Sequence, residues 1–273
     1  MKKLYPRRFL LSLIITSIPL VFYHFKSHSD VADIKKKNTL VVGVKDSLYP
    51  FGYVNEKTRK LEGYDIDFAK NIAEKLGVKL ELKPVTSANR IPMLTEKNVD
   101  LLICTMTITP ERAKQINFSY PYFISKQKFI VKRGSAKSLK ELENKKIGTT
   151  KGSTSELNVA KALPSAKVLS YDDYPQAFLA MQQGKVFAVT TDESILAGIL
   201  SKATRREEFE IPLYDISKEP YGIGVNNTDP ELLKLVNSTL LDMEKKGKVS
   251  EIFKKWFGPN STVPLSKDFK ITP

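Results

Sequence analysis

Three alternating threonines, Thr105, Thr107 and Thr109, lead to an arginine, Arg112, within the segment Asp100–Tyr122 (DLLICTMTITPERAKQINFSYPY). Thr109 has the hydroxyl an N-cap needs, and Pro110 suits the first helical position, whose N–H lacks an intrahelical acceptor in any case. Arg112 then falls in the first turn, at the positive end of the helix dipole, where a cation is favoured only beside an anion. Two readings follow. Arg112 is either a surface cation paired with Glu111 or another carboxylate, or it is part of a clamp. In the clamp, guanidinium, threonine hydroxyl and backbone amides converge on one small carboxylate.

Composition narrows the chemistry. The chain has 273 residues and a formal charge of +14. Residues 1–30 read as an export leader: MKKLYPRR is basic, and Phe9–Phe25 is mostly apolar but broken by Ser12, Thr16, Ser17, Pro19 and His24. That stretch is short for a membrane span, so a cleaved signal peptide is expected, with a retained anchor as the alternative. The leader holds a net +4, which leaves about +10 on the exported part. Those lysines are mixed with glutamates as on a solvated surface, and no aromatic-studded basic stripe invites nucleic acid. Both histidines, His24 and His28, lie in or beside the leader, and Cys104 is the sole cysteine, inside the apolar run DLLIC. An intrachain disulfide, a His/Cys metal cluster and a Ser-His or Cys-His dyad are therefore excluded, and no cofactor is expected. Cys104 reads as a small buried hydrophobe.

The elements that must position these residues follow a β-α-β-α-β rhythm. Thr39–Lys45 is a β-rich run, and Tyr64–Leu76 places Ile66, Ala69, Ile72, Ala73 and Leu76 at helical spacing. Lys79–Val85 alternates as a strand, a helix is expected near Ala88–Glu96, and Asp100–Cys104 is the next strand. Residues 31–38 read as a charged lead-in. After the strand Phe129–Arg133 a second series begins at Lys146: strand Ile147–Thr150, helix from Ser153, strand Lys167–Tyr171, helix Tyr174–Gln183, strand Val186–Thr190, helix Asp192–Ser201. Asp229–Lys246 is a long amphipathic helix behind a capping Asp229-Pro230, and Val249–Phe257 is a last short helix. Two series in tandem predict an α/β protein of two lobes.

Strand, T-x-T-x-T-x-E-R, helix, then F-S-x-P-Y resembles the signature of the polar amino-acid-binding proteins of ABC importers, extracytoplasmic solute-binding proteins of family 3. GYDIDFAKNIAEKLG (63–77), TSANRIPML (86–94), KGSTSE (151–156), TTDESILAG (190–198), EPYGIGV (219–225) and IFKKWFG (252–258) resemble the same family, in its order, so that the likeness runs from Asn38 to Gly258. It implies a periplasmic-binding-protein fold of type II, the Venus flytrap, with a two-strand hinge. Lobe 1 would then be discontinuous, residues 38–129 plus 226–265, and lobe 2 residues 130–225. The hinge crossings would lie near 128–132 and 221–225.

The resemblance also implies a ligand site. Arg112 and Thr107 resemble the family's α-carboxylate pair, with the backbone at Thr105 beside them. Asp192 resembles the acid that meets the α-ammonium, although an ordinary helix N-cap is its equal alternative. Thr150, Ser153 and Thr154 would contribute hydroxyls and N–H groups from lobe 2. The motif TSANRIP resembles glutamate/aspartate-binding members most closely, and places Ser87 and Arg90 at the distal carboxylate. Lys45 stands where those relatives have arginine, and Tyr174 where they have histidine; lysine keeps the charge but loses the planar fork. Three cations (Lys45, Arg90, Arg112) against one acid (Asp192) favour a ligand with two carboxylates. The expectation is thus a monomeric periplasmic receptor that captures glutamate or aspartate and delivers it to an ABC permease. Glutamine or another polar amino acid is the alternative ligand. From other classes, a cyclohexadienyl dehydratase-like enzyme would need Glu193 or Glu219 as general acid, and a sensor domain would need the leader as a tether.

Overall fold

The parallel strands Thr39–Val44 and Lys79–Pro84 run in register from Thr39 opposite Lys79 to Val44 opposite Pro84. They form the edge of a five-stranded sheet, continued by Leu101–Leu102, Gly224–Val225 and Asn117–Phe118. The computed structural model describes Met1 and residues 30–273, so the expected leader falls almost wholly outside the described residues. Among the described residues no helix is long and apolar enough to cross a membrane.

Helix Tyr64–Leu76 covers this first sheet with Ile66, Phe68, Ala69, Ile72, Ala73 and Leu76, the face its 3.6-residue period predicts. It ends at Gly77, whose φ of 71° is the left-handed conformation that costs a glycine least. The chain returns late to the same lobe: helices Pro230–Lys245 and Lys248–Phe257 add Leu232, Val236, Leu240, Ile252, Trp256 and Phe257 to its core. Phe123, at the start of the strand that leaves this lobe, sits among the rings of Phe51, Tyr64, Tyr221 and Phe257.

The second sheet runs Lys167–Tyr171, Lys146–Thr150, Ala188–Asp192, Phe123–Lys132, Phe209–Glu210. Its first three strands are parallel, and Phe123–Lys132 is antiparallel to Ala188–Asp192. Separate apolar clusters, around Phe178 and Met181 and around Phe129 and Leu142, fill its two sides. Each lobe is thus a sheet with its own core, and the fold is the two-lobed type II arrangement.

Two strands join the lobes. Phe123–Gln127 pairs antiparallel with Ser217–Tyr221, and Tyr221 gives way to Gly224 in the first sheet. Lys128–Val131 lie inside the second sheet, opposite Ala188–Thr191. Three differences from expectation are local. The charged lead-in is a helix, Asp30–Lys37, anchored by fully buried Ile34. Residues 47–62 form a small sheet of Ser47–Leu48, Gly52–Val54 and Leu61–Glu62 that no alternation announced. The helix that carries Arg112 is one turn, Pro110–Ala113. Thr109 does cap it, accepting the Arg112 N–H at 3.2 Å, yet one turn has little dipole to repel a cation. What holds Arg112 is tertiary.

Candidate ligand-binding cleft

All of the expected site residues emerge at or just beyond the C-terminal ends of parallel strands, the end at which open α/β sheets receive ligands. Lys45 follows Thr39–Val44, Ser87 and Arg90 follow Lys79–Pro84, and Thr105, Thr107 and Arg112 follow Leu101–Leu102. From the facing lobe, Thr150, Ser153 and Thr154 follow Lys146–Thr150, Tyr174 follows Lys167–Tyr171, and Asp192 ends Ala188–Asp192. Ten of the eleven are buried, and Thr154 is half-buried.

The lobes meet across this cleft. Arg112 donates from Nη1 to the Thr107 carbonyl at 2.8 Å and from Nη2 to the Gly152 carbonyl of the opposite lobe at 3.3 Å. Burial, with Arg90 nearby, lowers its pKa to about 10, and it remains a cation at neutral pH. The Thr107 hydroxyl donates to Glu219 at 2.6 Å, and Thr154 donates to the same carboxylate oxygen at 2.9 Å. One hinge-strand acid therefore ties a threonine from each lobe.

Asp192 begins a helix, Glu193–Lys202, but its side chain makes no cap hydrogen bond. Its Oδ2 instead accepts the Tyr221 hydroxyl, while Oδ1 is buried with no partner among the described residues. The N-cap alternative is thereby set aside, and one buried carboxylate oxygen is left without a partner. Burial, helped by the charge of Glu219, raises the Asp192 pKa to about 7. On the other side, Arg90 donates from Nη1 to the Cys104 carbonyl at 3.2 Å, and its Nε is buried without a partner. The Thr150 hydroxyl is a third such atom. Buried polar atoms are almost always paired, so three in one cleft mark where another molecule's donors and acceptors belong.

The remaining residues divide by role. Lys45 donates to Ser87 Oγ at 3.0 Å, and burial together with Arg90 lowers its pKa to about 7. These two border a cavity of about 250 Å³ that reaches Tyr174 and is rimmed by Asp46, Asp172 and Asp173. Tyr174 shares a 3.3 Å hydrogen bond with Ser155, and burial beside Asp192 raises its pKa. Ser153 is spent on structure: its hydroxyl accepts the Glu156 N–H at 3.2 Å and donates to the Thr150 carbonyl at 2.6 Å. Thr105 also turns inward, with its hydroxyl on the Cys104 carbonyl and its N–H on Asp65 Oδ2 at 3.1 Å. Asp65 in turn accepts the Tyr122 hydroxyl at 2.8 Å, and it holds Thr105 at a left-handed φ of 51°.

Sequence reasoning missed Glu219 and Asp65 as members of this charge system. Glu219 sits in EPYGIGV and Asp65 in GYDIDF, both within recognised stretches, but nothing in either motif says that the side chain points inward. The count of three cations against one acid is corrected accordingly: Glu219 and Asp65 are buried acids alongside Asp192, and Asp46, Asp172 and Asp173 lie at the rim of the cavity beside Lys45. Both carboxylates considered for dehydratase chemistry already have partners. Glu193 pairs with Lys128 at 2.8 Å, and Glu219 accepts from Thr107, Thr154, Asn158 and Ser217.

Comparison with known proteins agrees with this geometry. The ABC transporter glutamine-binding protein of Bacillus subtilis (strain 168) is 39% identical over 233 residues, covering 83% of this chain and 84% of its own. The glutamate/aspartate import solute-binding protein of Salmonella typhimurium is 31% identical over 257 residues, covering 89% of this chain and 85% of its own. Among solved structures, an ancestral arginine-binding protein bound to glutamine superposes with a TM-score of 0.77 at 43% identity, over 81% of this chain and 98% of that one. The family profile of the bacterial extracellular solute-binding proteins, family 3, matches residues 40–259. The chain belongs to that family.

Proposed function

We propose that the protein encloses a polar L-amino acid with an uncharged side chain, glutamine in first place, and presents it to the permease of an ABC importer. The observation that carries this reading is the set of unpaired buried atoms supplied by both lobes: the Asp192 Oδ1 acceptor, the Arg90 Nε donor and the Thr150 hydroxyl. An α-amino acid brings an ammonium for the first and a side-chain carbonyl for the second, while its α-carboxylate falls to Arg112, held by the Thr107 and Gly152 carbonyls. Charge selects among amino acids. Buried and rim acids already accompany the three cations, and Lys45 titrates at about 7, so no large positive excess waits for a second carboxylate and a net-neutral zwitterion suits the cleft. Glutamate would add a second carboxylate, and an uncompensated buried charge costs several kcal/mol, on the order of 3–5. The glutamine-binding relative, at 39% identity against 31% for the glutamate/aspartate one, points the same way.

A cationic ligand is the second reading. The side cavity beside Lys45 is rimmed by Asp46, Asp172 and Asp173, which would suit a guanidinium or ammonium at the end of a long side chain. Isothermal titration calorimetry with glutamine, glutamate, aspartate, arginine and lysine separates these. Glutamine is expected to bind tightest. A clear preference for glutamate restores the two-carboxylate reading, a preference for arginine establishes the second, and no binding by any of the five overturns the proposal.

A further inference from the structure

Away from the ligand residues, the closed lobes touch at a second place. Helix Glu193–Lys202 of lobe 2 runs against the loop around Tyr49 of lobe 1, and the approach is made at Gly198, in the helix interior. A Cβ built on Gly198 would lie 1.9 Å from the Tyr49 carbonyl oxygen and 2.9 Å from its carbonyl carbon. The obstacle is backbone, so no rotamer change relieves it. Gly198 has an ordinary helical conformation, so the helix itself has no need of a glycine there; alanine is the better helix former. The same loop is gripped from two further sides. Lys202 Nζ lies 4.4 Å above the Tyr49 ring, and the Tyr49 hydroxyl shares a 2.6 Å hydrogen bond with Thr262.

We infer that Gly198 is an affinity-determining positioning residue, a seat that lets the Tyr49 backbone settle on lobe 2 so that the cleft can close. It touches no ligand group. The inference rests on the proposed two-lobe capture only in using closure to read affinity. It makes an unusual prediction: Gly198→Ala improves the local helix while it blocks docking. A glycine kept merely for folding would predict the opposite.

The test is Gly198→Ala in the full exported chain, with spin labels on Lys57→Cys in lobe 1 and Lys161→Cys in lobe 2 to measure the lobe-to-lobe distance, and glutamine as the probe. The unliganded variant is expected to melt at or above the wild-type temperature. Its affinity for glutamine should fall by about tenfold or more, because overpacking against rigid backbone is costly. Its liganded distance distribution should lack the short component that wild type gains. A variant that closes and binds like wild type overturns the inference, as does one whose unliganded melting temperature drops along with its affinity. If wild type binds none of the amino acids in the calorimetric panel, the functional reading fails separately. The seat is then judged on the unliganded proteins, where wild type must show a short-distance population that Gly198→Ala lacks.

Discussion

Glu219→Gln should move ligand preference from glutamine toward glutamate. Glu219 is 1% exposed, and its carboxylate accepts from Thr107, Thr154, Asn158 and Ser217 at 2.5–2.9 Å. The amide is nearly isosteric, and the hydroxyl partners can rotate to accept from its NH₂, so the substitution removes a charge while it keeps the network. The cleft would lose one negative charge. At a separation of about 7 Å and an effective dielectric near 20, one unit charge acts on another by about 2 kcal/mol. The ratio of glutamate to glutamine affinity should therefore rise by roughly thirtyfold. Calorimetry of both ligands against both proteins reads this ratio directly, and any general weakening cancels from it. A ratio that stays within about threefold of wild type, or shifts toward glutamine, would refute the claim that charge balance around the cleft chooses the side chain.

Two other perturbations follow from the same geometry. Asp192→Asn removes the acceptor charge assigned to the ligand ammonium and leaves the Tyr221 contact possible; calorimetry should show a loss of about 2–4 kcal/mol, roughly 30- to 1,000-fold in Kd. Asp65 carries a pH signature: burial raises its pKa from 3.8 to about 7, so between those values the folded protein holds a proton that the unfolded chain has released. Stability from this group is therefore greatest in acid, falls as pH rises through that window and is level above it. In Asp65→Asn, urea midpoints measured at mildly acid and mildly basic pH should lie closer together than in wild type, and an unchanged spread would count against the assignment.

Local chemistry made much of the fold legible. Helix Tyr64–Leu76 has its apolar period and a terminal Gly77, and Thr109, Ser153 and Asp229 each accept the N–H three residues on, as their positions before helices suggested. The expected strand at residues 100–104 shrinks to Leu101–Leu102, because Cys104 and Thr105 leave the sheet to serve the cleft. The three short strands between residues 47 and 62 escaped notice because two- and three-residue strands have no period to read. The site was legible where a residue type is unusual in its setting, as with Arg112, Arg90 and Asp192. It was not legible where an ordinary acid on a strand or helix happens to face inward. Glu219 alternates along Ser217–Tyr221 like any strand residue, and only the pairing of that strand with Phe123–Gln127 turns it toward both lobes.

On the proposed function, that placement gives the hinge a part in recognition. In Ser217–Tyr221 the side chains of Ser217, Glu219 and Tyr221 alternate onto one face of the strand. Glu219 links Thr107 of one lobe to Thr154 of the other, and Tyr221 holds Asp192. Rotating the lobes apart about this strand must therefore break at least one hydrogen bond to a buried acid, and reclosing must reform it. A ligand favours closure only by as much as it binds the closed form better than the open one. Groups that contact ligand and are also tied to the hinge strand make that difference large, since they are correctly aimed only when the strand has both lobes in place. On the proposed function, Thr107 in lobe 1 and Asp192 in lobe 2 are the ligand groups tied to that strand, whereas Arg90, which bonds within its own lobe to the Cys104 carbonyl, is not. Arg90 is accordingly suited to hold ligand in the open cleft, and Asp192 to hold it only once the cleft has closed.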